Sequence, residues 1–205
     1  MSGEPAPLQF APTLPPEEAA RADFYGLLAR LFYAPPEAQL LASIAAADEI
    51  VVEQDGARAF ARAWRELRTA AAADADAARE EYESLFVGTG KAPVSLYAGA
   101  YLIETAVHHP LVELRDYLAA HGLARRPSVH EPEDHIAALF EVMRHLVAEQ
   151  HAPIAEQDAF FMRFLWPCAI PLCESIELSV QAHLYKQIAM FARSFLEIEF
   201  EAFRI

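Results

Sequence analysis

Apolar residues recur at helical spacing along most of this chain, and that period constrains the fold more than any other feature. The clearest stripe falls at i, i+3, i+4, i+7, i+10 and i+11 and consists of Ile136, Leu139, Phe140, Met143, Leu146 and Val147. Another advances in steps of 4, 3, 4, 3 and 4 residues and consists of Leu184, Ile188, Phe191, Phe195, Ile198 and Ala202. The sequence shows no convincing strand pattern. It therefore predicts an all-α protein with a single bundle-like helical domain, either undivided or in two lobes joined by a connector near residues 121–132.

Prolines and glycines predict where the helices end. A first helix should stop at Pro35 and Pro36, and a later one should end at Gly122 as its C-cap. Further helices are expected over 37–47, 56–72, 110–121 and 154–165, with another ending before Gly88 and one starting at Pro132. Pro167 and Pro171 should break or kink the segment that precedes the last helix. The alanine-rich stretch near residue 72 leaves its boundary open.

The first 16 residues contain five prolines and are expected to form an extended lead-in, with the all-helical domain over 17–205. This lead-in lacks the positive and apolar regions of a signal peptide. The sequence has no stretch of about 18 continuous apolar residues, so membrane insertion is not expected and a soluble cytoplasmic protein is predicted. Cys168 and Cys173 are too few for a disulfide framework, and their apolar surroundings predict buried thiols.

The chain is strongly acidic, with a formal net charge of -14 over 205 residues. It has no basic stripe, and this disfavours non-specific phosphate binding, so no nucleic-acid partner is expected. An acidic surface suits a cationic partner, although it can also serve solubility alone.

The longest irregular stretch, over residues 87–99, contains three of the seven glycines. It is either a functional loop or a connector between helical subdomains, and the residues alone do not decide between the two.

The segment "HEPEDH" at residues 130–135 crowds two histidines, three acids and a proline in front of a helix. His130 and His135 are five residues apart with Pro132 between them, which does not suit a helical metal pair, so no metal is expected. Asp134 and His135 could form an acid/base dyad, but neighbouring helical positions do not face each other, and no catalytic residue is predicted. Helix-start chemistry explains the proline and the acids: Pro132 suits the first helical position, and the acids suit the positive end of the helix dipole. It does not explain His135.

Three stretches taken together resemble the TorD/DmsD/NarJ-type family of redox enzyme maturation chaperones. They are "EYESLFVGTGKAPVSLYAGAYL", "HHPLVELRDYLAAHGL" and "EPEDHIAALFEVMRHL", in that order. The residues that carry the resemblance are Tyr82, Leu85, Phe86, Gly88, Pro93, Tyr97, Gly122, Leu123, Glu131, Pro132, Asp134 and His135. The chain departs from the family pattern at "GTGKAP" and "PVSLYAGAY", where an acidic loop residue is missing.

The resemblance implies a cytoplasmic, non-enzymatic chaperone, as a monomer or homodimer. It would bind the twin-arginine leader or the apo-form of a molybdopterin-dependent oxidoreductase and hold that enzyme for cofactor insertion. Asp134 would contact a guanidinium at the mouth of an apolar channel, and His135 would either orient Asp134 or donate to the peptide backbone. The remaining implied peptide-binding residues are Glu131, Pro132, Tyr82, Leu85, Phe86, Pro93 and Tyr97, although residues such as Leu85 and Phe86 more often belong to the core. No resident cofactor is implied, beyond weak contact with guanine nucleotide or the molybdopterin cofactor.

Two alternatives stay open at this stage. One is an assembly factor for a non-exported molybdoenzyme subunit of the nitrate reductase or formate dehydrogenase type. The other is a small nucleotide-binding hydrolase that uses Asp134 and His135 together with the "GTGK" segment at residues 88–91.

Overall fold

The helices follow the apolar stripes of the sequence closely. In the computed structural model, which describes residues 14–52, 57–88, 92–102, 109–124 and 131–204, no named strand occurs among those residues. The helices are α1 (Pro16–Tyr33), α2 (Ala38–Ala45), α3 (Arg58–Ala70), α4 (Ala75–Tyr82), α5 (Pro110–Ala120), α6 (Ile136–Ala148), α7 (Ile154–Phe160), α8 (Trp166–Leu178) and α9 (Leu184–Ala202). The predicted all-α class is confirmed. Residues 1–13 of the predicted lead-in and residues 125–130 of the connector lie outside the described residues.

Helices α1 and α6 pack along each other, and α9 packs against α3 and α8. Phe32 of α1 stacks on Phe140 of α6 with ring centroids 6.0 Å apart. Phe191 of α9 stacks on Phe60 of α3 at 5.3 Å. These contacts belong to one hydrophobic cluster of buried side chains that includes residues from every helix, α7 and α8 among them. The apolar stripes thus supply a shared core.

A buried ionic network ties α1 to α9 and α7. The Arg21 guanidinium donates to both carboxylate oxygens of Glu199, the shortest contact being 2.7 Å, and also to Gln157 of α7 at 3.1 Å. The Tyr25 hydroxyl donates to Glu199 Oε2 at 2.8 Å. Glu199 is only 2% exposed, and these hydrogen bonds replace the contacts with water that its side chain loses on burial.

The carboxylate of Glu81 in α4 caps the N-terminus of α9. Its oxygens accept hydrogen bonds from the backbone N–H groups of His183, Leu184 and Tyr185 at 2.8, 3.0 and 2.8 Å. A helix leaves its first N–H groups without partners inside the helix, and a carboxylate there also interacts favourably with the helix dipole. One side chain from α4 therefore closes the start of the last helix.

The predicted break at Pro167 and Pro171 is not found. The chain stays helical from Ile154 to Leu178, because a π turn over Phe161–Leu165 joins α7 to α8. Pro167 lies in the first turn of α8, directly after that wider turn, and Pro171 lies inside α8. A π turn is a local distortion of the hydrogen-bond ladder, and it precedes the point where the first proline ring must be accommodated.

The same continuous helix, Ile154–Leu178, is long and apolar enough to cross a membrane by length and composition. Half of its most apolar window is buried inside the fold, as in the core helix of many soluble proteins. Both predicted core thiols are buried: Cys168 and Cys173 are 0% and 1% exposed, and burial raises the pKa of Cys168 to about 12.

Candidate functional site

The loop before α5 pairs with the residues that lead into α6. Tyr97 and His135 form an isolated antiparallel bridge. In this bridge the Ala98 N–H donates to the Asp134 carbonyl oxygen and the Ile136 N–H donates to the Leu96 carbonyl oxygen, both at 2.8 Å. This pairing brings the irregular stretch and the "EPEDH" segment together.

Helix α6 begins at Ile136, so the predicted start at Pro132 is wrong. His135 is the N-cap residue, with an extended backbone at φ −63° and ψ 132°. The bridge holds residues 134 and 135 out of helical geometry, and the first turn of α6 contains no acidic residue. Pro132 and the acids therefore lie in the turn before the helix, and the helix-start explanation of their sequence does not apply.

Asp134 lies inside the protein. Its side chain is 8% exposed, and Oδ2 accepts a hydrogen bond from the Gly99 N–H at 3.2 Å. Asp134 lines neither of two surface cavities formed by the described residues. The expected position of this carboxylate, at the mouth of an apolar channel, does not agree with its burial. What Asp134 does is hold the turn over Ala98–Ala100 against the start of α6.

His135 is a buried helix cap. It is 3% exposed, and its Nδ1 accepts a hydrogen bond from the Ala137 N–H at 3.2 Å. An accepting Nδ1 places the ring proton of the neutral imidazole on Nε2. Burial lowers the pKa of His135, and the nearby acids Glu131 and Asp134 offset this only in part. Helix-start chemistry left His135 unexplained, and the structure shows that this residue caps α6.

An exposed face lies over His135. The rings of Tyr97 and Tyr33 meet the imidazole edge-on, with centroids 5.3 and 6.4 Å from it, and these tyrosines are 39% and 52% exposed. The Tyr97 hydroxyl donates to Glu131 Oε2 at 2.6 Å, and this bond raises the pKa of Tyr97 to about 12. We call these three residues the Tyr33–Tyr97–Glu131 surface. It combines two aromatic rings with a carboxylate.

The other predicted residues divide between core and surface. Leu85 and Phe86 are core residues, and Tyr82 is buried with its hydroxyl donating to the carbonyl oxygens of Phe32 and Tyr33, each at 3.2 Å. Burial raises the pKa of Tyr82 to about 12. Pro93 and Pro132 are exposed.

Sequence reasoning missed Tyr33. The "FYAPPE" stretch at residues 32–37 was interpreted only as a helix end. An aromatic residue two positions before the prolines was the available signal, but its neighbours come from the loop and from residue 135, far along the chain.

The irregular stretch is anchored at its start. Gly88 adopts φ 60°, which favours glycine, and its N–H donates to the Glu83 carbonyl oxygen at 2.8 Å. The Val94 N–H then donates to the Leu85 carbonyl oxygen at 3.0 Å. Residues 89–91 of "GTGK" lie outside the described residues, and so does His130. In the described part of the chain, no group of three His, Cys, Asp or Glu side chains is placed to hold a metal ion.

Comparison with known proteins identifies the family. The family model of the nitrate reductase delta subunit matches residues 53–174, which include the loop and the "EPEDH" segment. The chain belongs to this family. The resemblance to the TorD/DmsD/NarJ-type chaperones is thereby confirmed.

Two proteins of Haemophilus influenzae are similar in sequence. One, named a probable Tat proofreading chaperone DmsD, is 33% identical over 69 residues, 33% of this chain and 34% of that protein. The other, an uncharacterized protein, is 28% identical over 123 residues, 60% of each chain. The chain thus spans 60% and 34% of the lengths of these relatives.

A crystal structure from Archaeoglobus fulgidus, described as that of a candidate redox enzyme maturation protein, shares the fold. It has a TM-score of 0.53 and 18% identity, and the match covers 94% of this chain and 97% of the other. At that identity the likeness concerns the fold alone.

Proposed function

We propose that this protein is a cytoplasmic chaperone that binds the twin-arginine leader or the cofactor-free form of a molybdopterin-dependent oxidoreductase. It would hold that enzyme until its cofactor is inserted. Membership of the nitrate reductase delta subunit family is the observation that carries the proposal. The similarity to the protein named as a Tat proofreading chaperone supports the twin-arginine leader as the segment that is bound.

The Tyr33–Tyr97–Glu131 surface is the part of the predicted site that we propose as the arginine-binding surface. A guanidinium can lie over an aromatic face and can also form charge-assisted hydrogen bonds with a carboxylate. Tyr33 and Tyr97 are both exposed enough to offer their rings, and Tyr97 orients Glu131 through the 2.6 Å hydrogen bond. Pro93 and Pro132 add exposed apolar area that would line the path of the leader.

Asp134 and His135 have a supporting role in this proposal. Their side chains accept backbone N–H groups of Gly99 and Ala137, and this fixes the loop and the start of α6 beneath the surface. The net charge of -14 would steer a cationic leader toward the protein and make association sensitive to salt.

Titration of the full chain with a synthetic twin-arginine leader tests this function. We expect binding that weakens when both arginines of the peptide become lysines, because lysine lacks the planar fork of the guanidinium. Glu131→Gln should weaken leader binding about fivefold, on the scale of one charge-assisted hydrogen bond.

Glu133→Gln is the matched control, since Glu133 lies two residues away and pairs with Arg115 at 3.4 Å. It should leave the affinity unchanged. The proposal would be contradicted if none of the leaders from the host's molybdoenzymes bound measurably to the wild type.

A second candidate is an assembly factor for a molybdoenzyme subunit that is not exported, and the name of the matching family favours it. Affinity capture from the native cell separates the two, because the captured enzyme either carries a leader or lacks one.

We also propose that the protein has no resident cofactor and acts without catalysis. GTP turnover that His135→Ala abolishes would contradict this, and GTP titration checks for weak nucleotide binding.

A further inference from the structure

One of the two surface cavities lies where the start of α1, the start of α7 and the end of α9 meet. Its volume is about 330 Å³, and no residue of the Tyr33–Tyr97–Glu131 surface lines it. Its apolar lining includes four phenylalanines and two isoleucines: Phe24, Phe60, Phe195, Phe203, Ile154 and Ile198. We call it the α1–α9 cavity.

The α1–α9 cavity is apolar and yet accessible from solvent. Ile154 is 55% exposed, and Phe24, Ile198 and Phe203 are half-buried, in contrast to the fully buried rings of the core. Removing such apolar area from water is favourable. A cavity of about 150 Å³ can hold benzene, so the α1–α9 cavity has room for a phenyl ring together with a branched aliphatic side chain.

The charged side chains that line the cavity are already paired with one another. They are Arg21, Glu18 and Glu199. The Arg21 guanidinium contacts the carboxylates of Glu18 and Glu199 at 2.8 and 2.7 Å. An anionic occupant would meet these two carboxylates, and a cationic occupant would compete with Arg21 for them. The cavity therefore favours an apolar, uncharged occupant.

The lead-in of this chain contains a segment with these properties. Residues 5–16 include no charged side chain, and Leu8 and Phe10 lie two positions apart within them. Side chains at i and i+2 face the same side of an extended chain, so both can enter one cavity while Gln9 faces away. Pro7 and Pro12 flank the segment and restrict the backbone, which lowers the entropy lost when it docks.

The lead-in is also long enough to reach the cavity. Leu14 is the first described residue, two positions before α1, and Phe10 precedes it by four residues. An extended chain covers up to about 14 Å over four residues. Ala20 and Phe24, which both line the cavity, lie only about 6 and 12 Å from Pro16 along the axis of α1. A lead-in that folds back along α1 therefore reaches the cavity.

We infer that residues 8–10 of the same chain occupy the α1–α9 cavity, with Leu8 and Phe10 inserted and Gln9 turned to solvent. The lead-in then acts as a strap that joins the start of α1 to the end of α9. It also keeps water away from the Arg21–Glu199 pair, whose attraction is stronger in a less polar environment. The inference does not depend on the proposed function, because the occupant is a segment of this chain.

Nuclear Overhauser effects in the full chain locate the segment directly. With the isoleucine methyl groups labelled, we expect contacts from the Phe10 ring to the methyl groups of Ile154 and Ile198, and Phe10→Ser should remove them. Ile44 is the control, because it is buried in α2 and does not line the cavity, so it should show no such contact. Absence of the Phe10 contacts in the wild type would overturn the inference.

A mixture of labelled and unlabelled chains identifies the molecule that supplies the segment. Contacts that arise only within one molecule would support the inference. Contacts between a labelled and an unlabelled molecule would assign the segment to a second copy of the chain and overturn it.

Urea unfolding measures what the segment contributes. Replacing Leu8 and Phe10 together with serine should raise the unfolding equilibrium constant about fivefold, because the entropy of ordering the segment offsets part of the gain from burying two apolar side chains. Gln9→Ser is the matched control, since its side chain faces away from the cavity, and it should unfold like the wild type. An equal effect of the double variant and of Gln9→Ser would contradict the inference.

Ala202→Trp shows whether that effect arises in the cavity. Ala202 is exposed and lines the cavity, so the larger ring fills the space that Leu8 and Phe10 would take. In the Ala202→Trp background, the double replacement of Leu8 and Phe10 should no longer change the unfolding equilibrium constant. A fivefold change that persisted there would place the segment elsewhere on the protein and overturn the inference.

Discussion

At the scale of single residues, Asp134 shows how a polar motif can be recognised in sequence while its role is misplaced. The motif "EPEDH" lies within the segment that the family model matches. That the carboxylate faces Gly99 depends on a contact between residues 35 positions apart, which no local pattern encodes. Glu131, three residues earlier, carries the charge that lies closer to solvent.

Asp134→Asn and Asp134→Ala distinguish a structural carboxylate from one that contacts the leader. Asparagine keeps an oxygen that can accept the Gly99 N–H, so Asp134→Asn should retain leader affinity and most of the stability. Asp134→Ala leaves that N–H without its acceptor and should lower the free energy of unfolding by about 1–2 kcal/mol. Urea unfolding and leader titration of both variants measure this. If Asp134→Asn lost leader binding as fully as Asp134→Ala, the result would support a direct contact between the Asp134 carboxylate and a guanidinium of the leader.

At the scale of helices, the apolar period located most of the elements and missed the contacts that set their ends. Gly122 closes α5 as predicted, with φ 67° and the Leu123 N–H donating to the Leu118 carbonyl oxygen at 2.8 Å. The start of α6 was misplaced because the bridge to Tyr97 involves a distant segment. A π turn, which has no clear sequence signal, precedes Pro167, and the chain stays helical where a break or a kink was predicted.

His135 makes the start of α6 sensitive to pH. Its pKa is lowered from 6.5 in the folded protein, so the unfolded chain binds more protons at pH values just below 6.5. The contribution of His135 to stability is therefore complete above about pH 6.5 and is lost as the pH falls from there through the lower folded pKa. Asparagine is also a good N-cap and does not titrate. The difference in free energy of unfolding between wild type and His135→Asn should thus shift against the wild type between pH 7 and pH 5, and parallel urea titrations of the two proteins measure that shift. A constant difference over that range would contradict this role.

Glu81 offers a test of the cap on α9. Glu81→Ala removes the acceptor of three backbone N–H groups and should lower the free energy of unfolding by about 2 kcal/mol. The neighbouring Glu80 is exposed, and Glu80→Ala should change stability by less than about 0.5 kcal/mol. Thermal and urea unfolding measure both variants. Equal stability of the two variants would show that the cap contributes nothing beyond surface charge.

At the scale of the whole molecule, the Arg21–Glu199 network joins helices that lie outside the segment matched by the family model. Helices α1 and α9 flank residues 53–174, and the network links them to each other and to Gln157 within that segment. The helical period of the apolar residues alone predicted the all-α class, because each apolar stripe must be buried against another helix. It could not predict which helices pair through buried charges.

Glu199→Gln tests whether this network holds the ends of the chain to the core. The substitution keeps the shape of the side chain but leaves the half-buried Arg21 without its main counter-charge, and we expect the free energy of unfolding to fall by about 3 kcal/mol. Tyr25→Phe removes only the neutral hydroxyl donor and should cost about 1 kcal/mol. Hydrogen exchange should show faster opening of α1 and α9 in Glu199→Gln than in Tyr25→Phe, because both helices depend on the ion pair. If Glu199→Gln were as stable as the wild type, Glu18, which also contacts Arg21 at 2.8 Å, would be a sufficient counter-charge and the packing of aromatic rings alone would join α1 to α9.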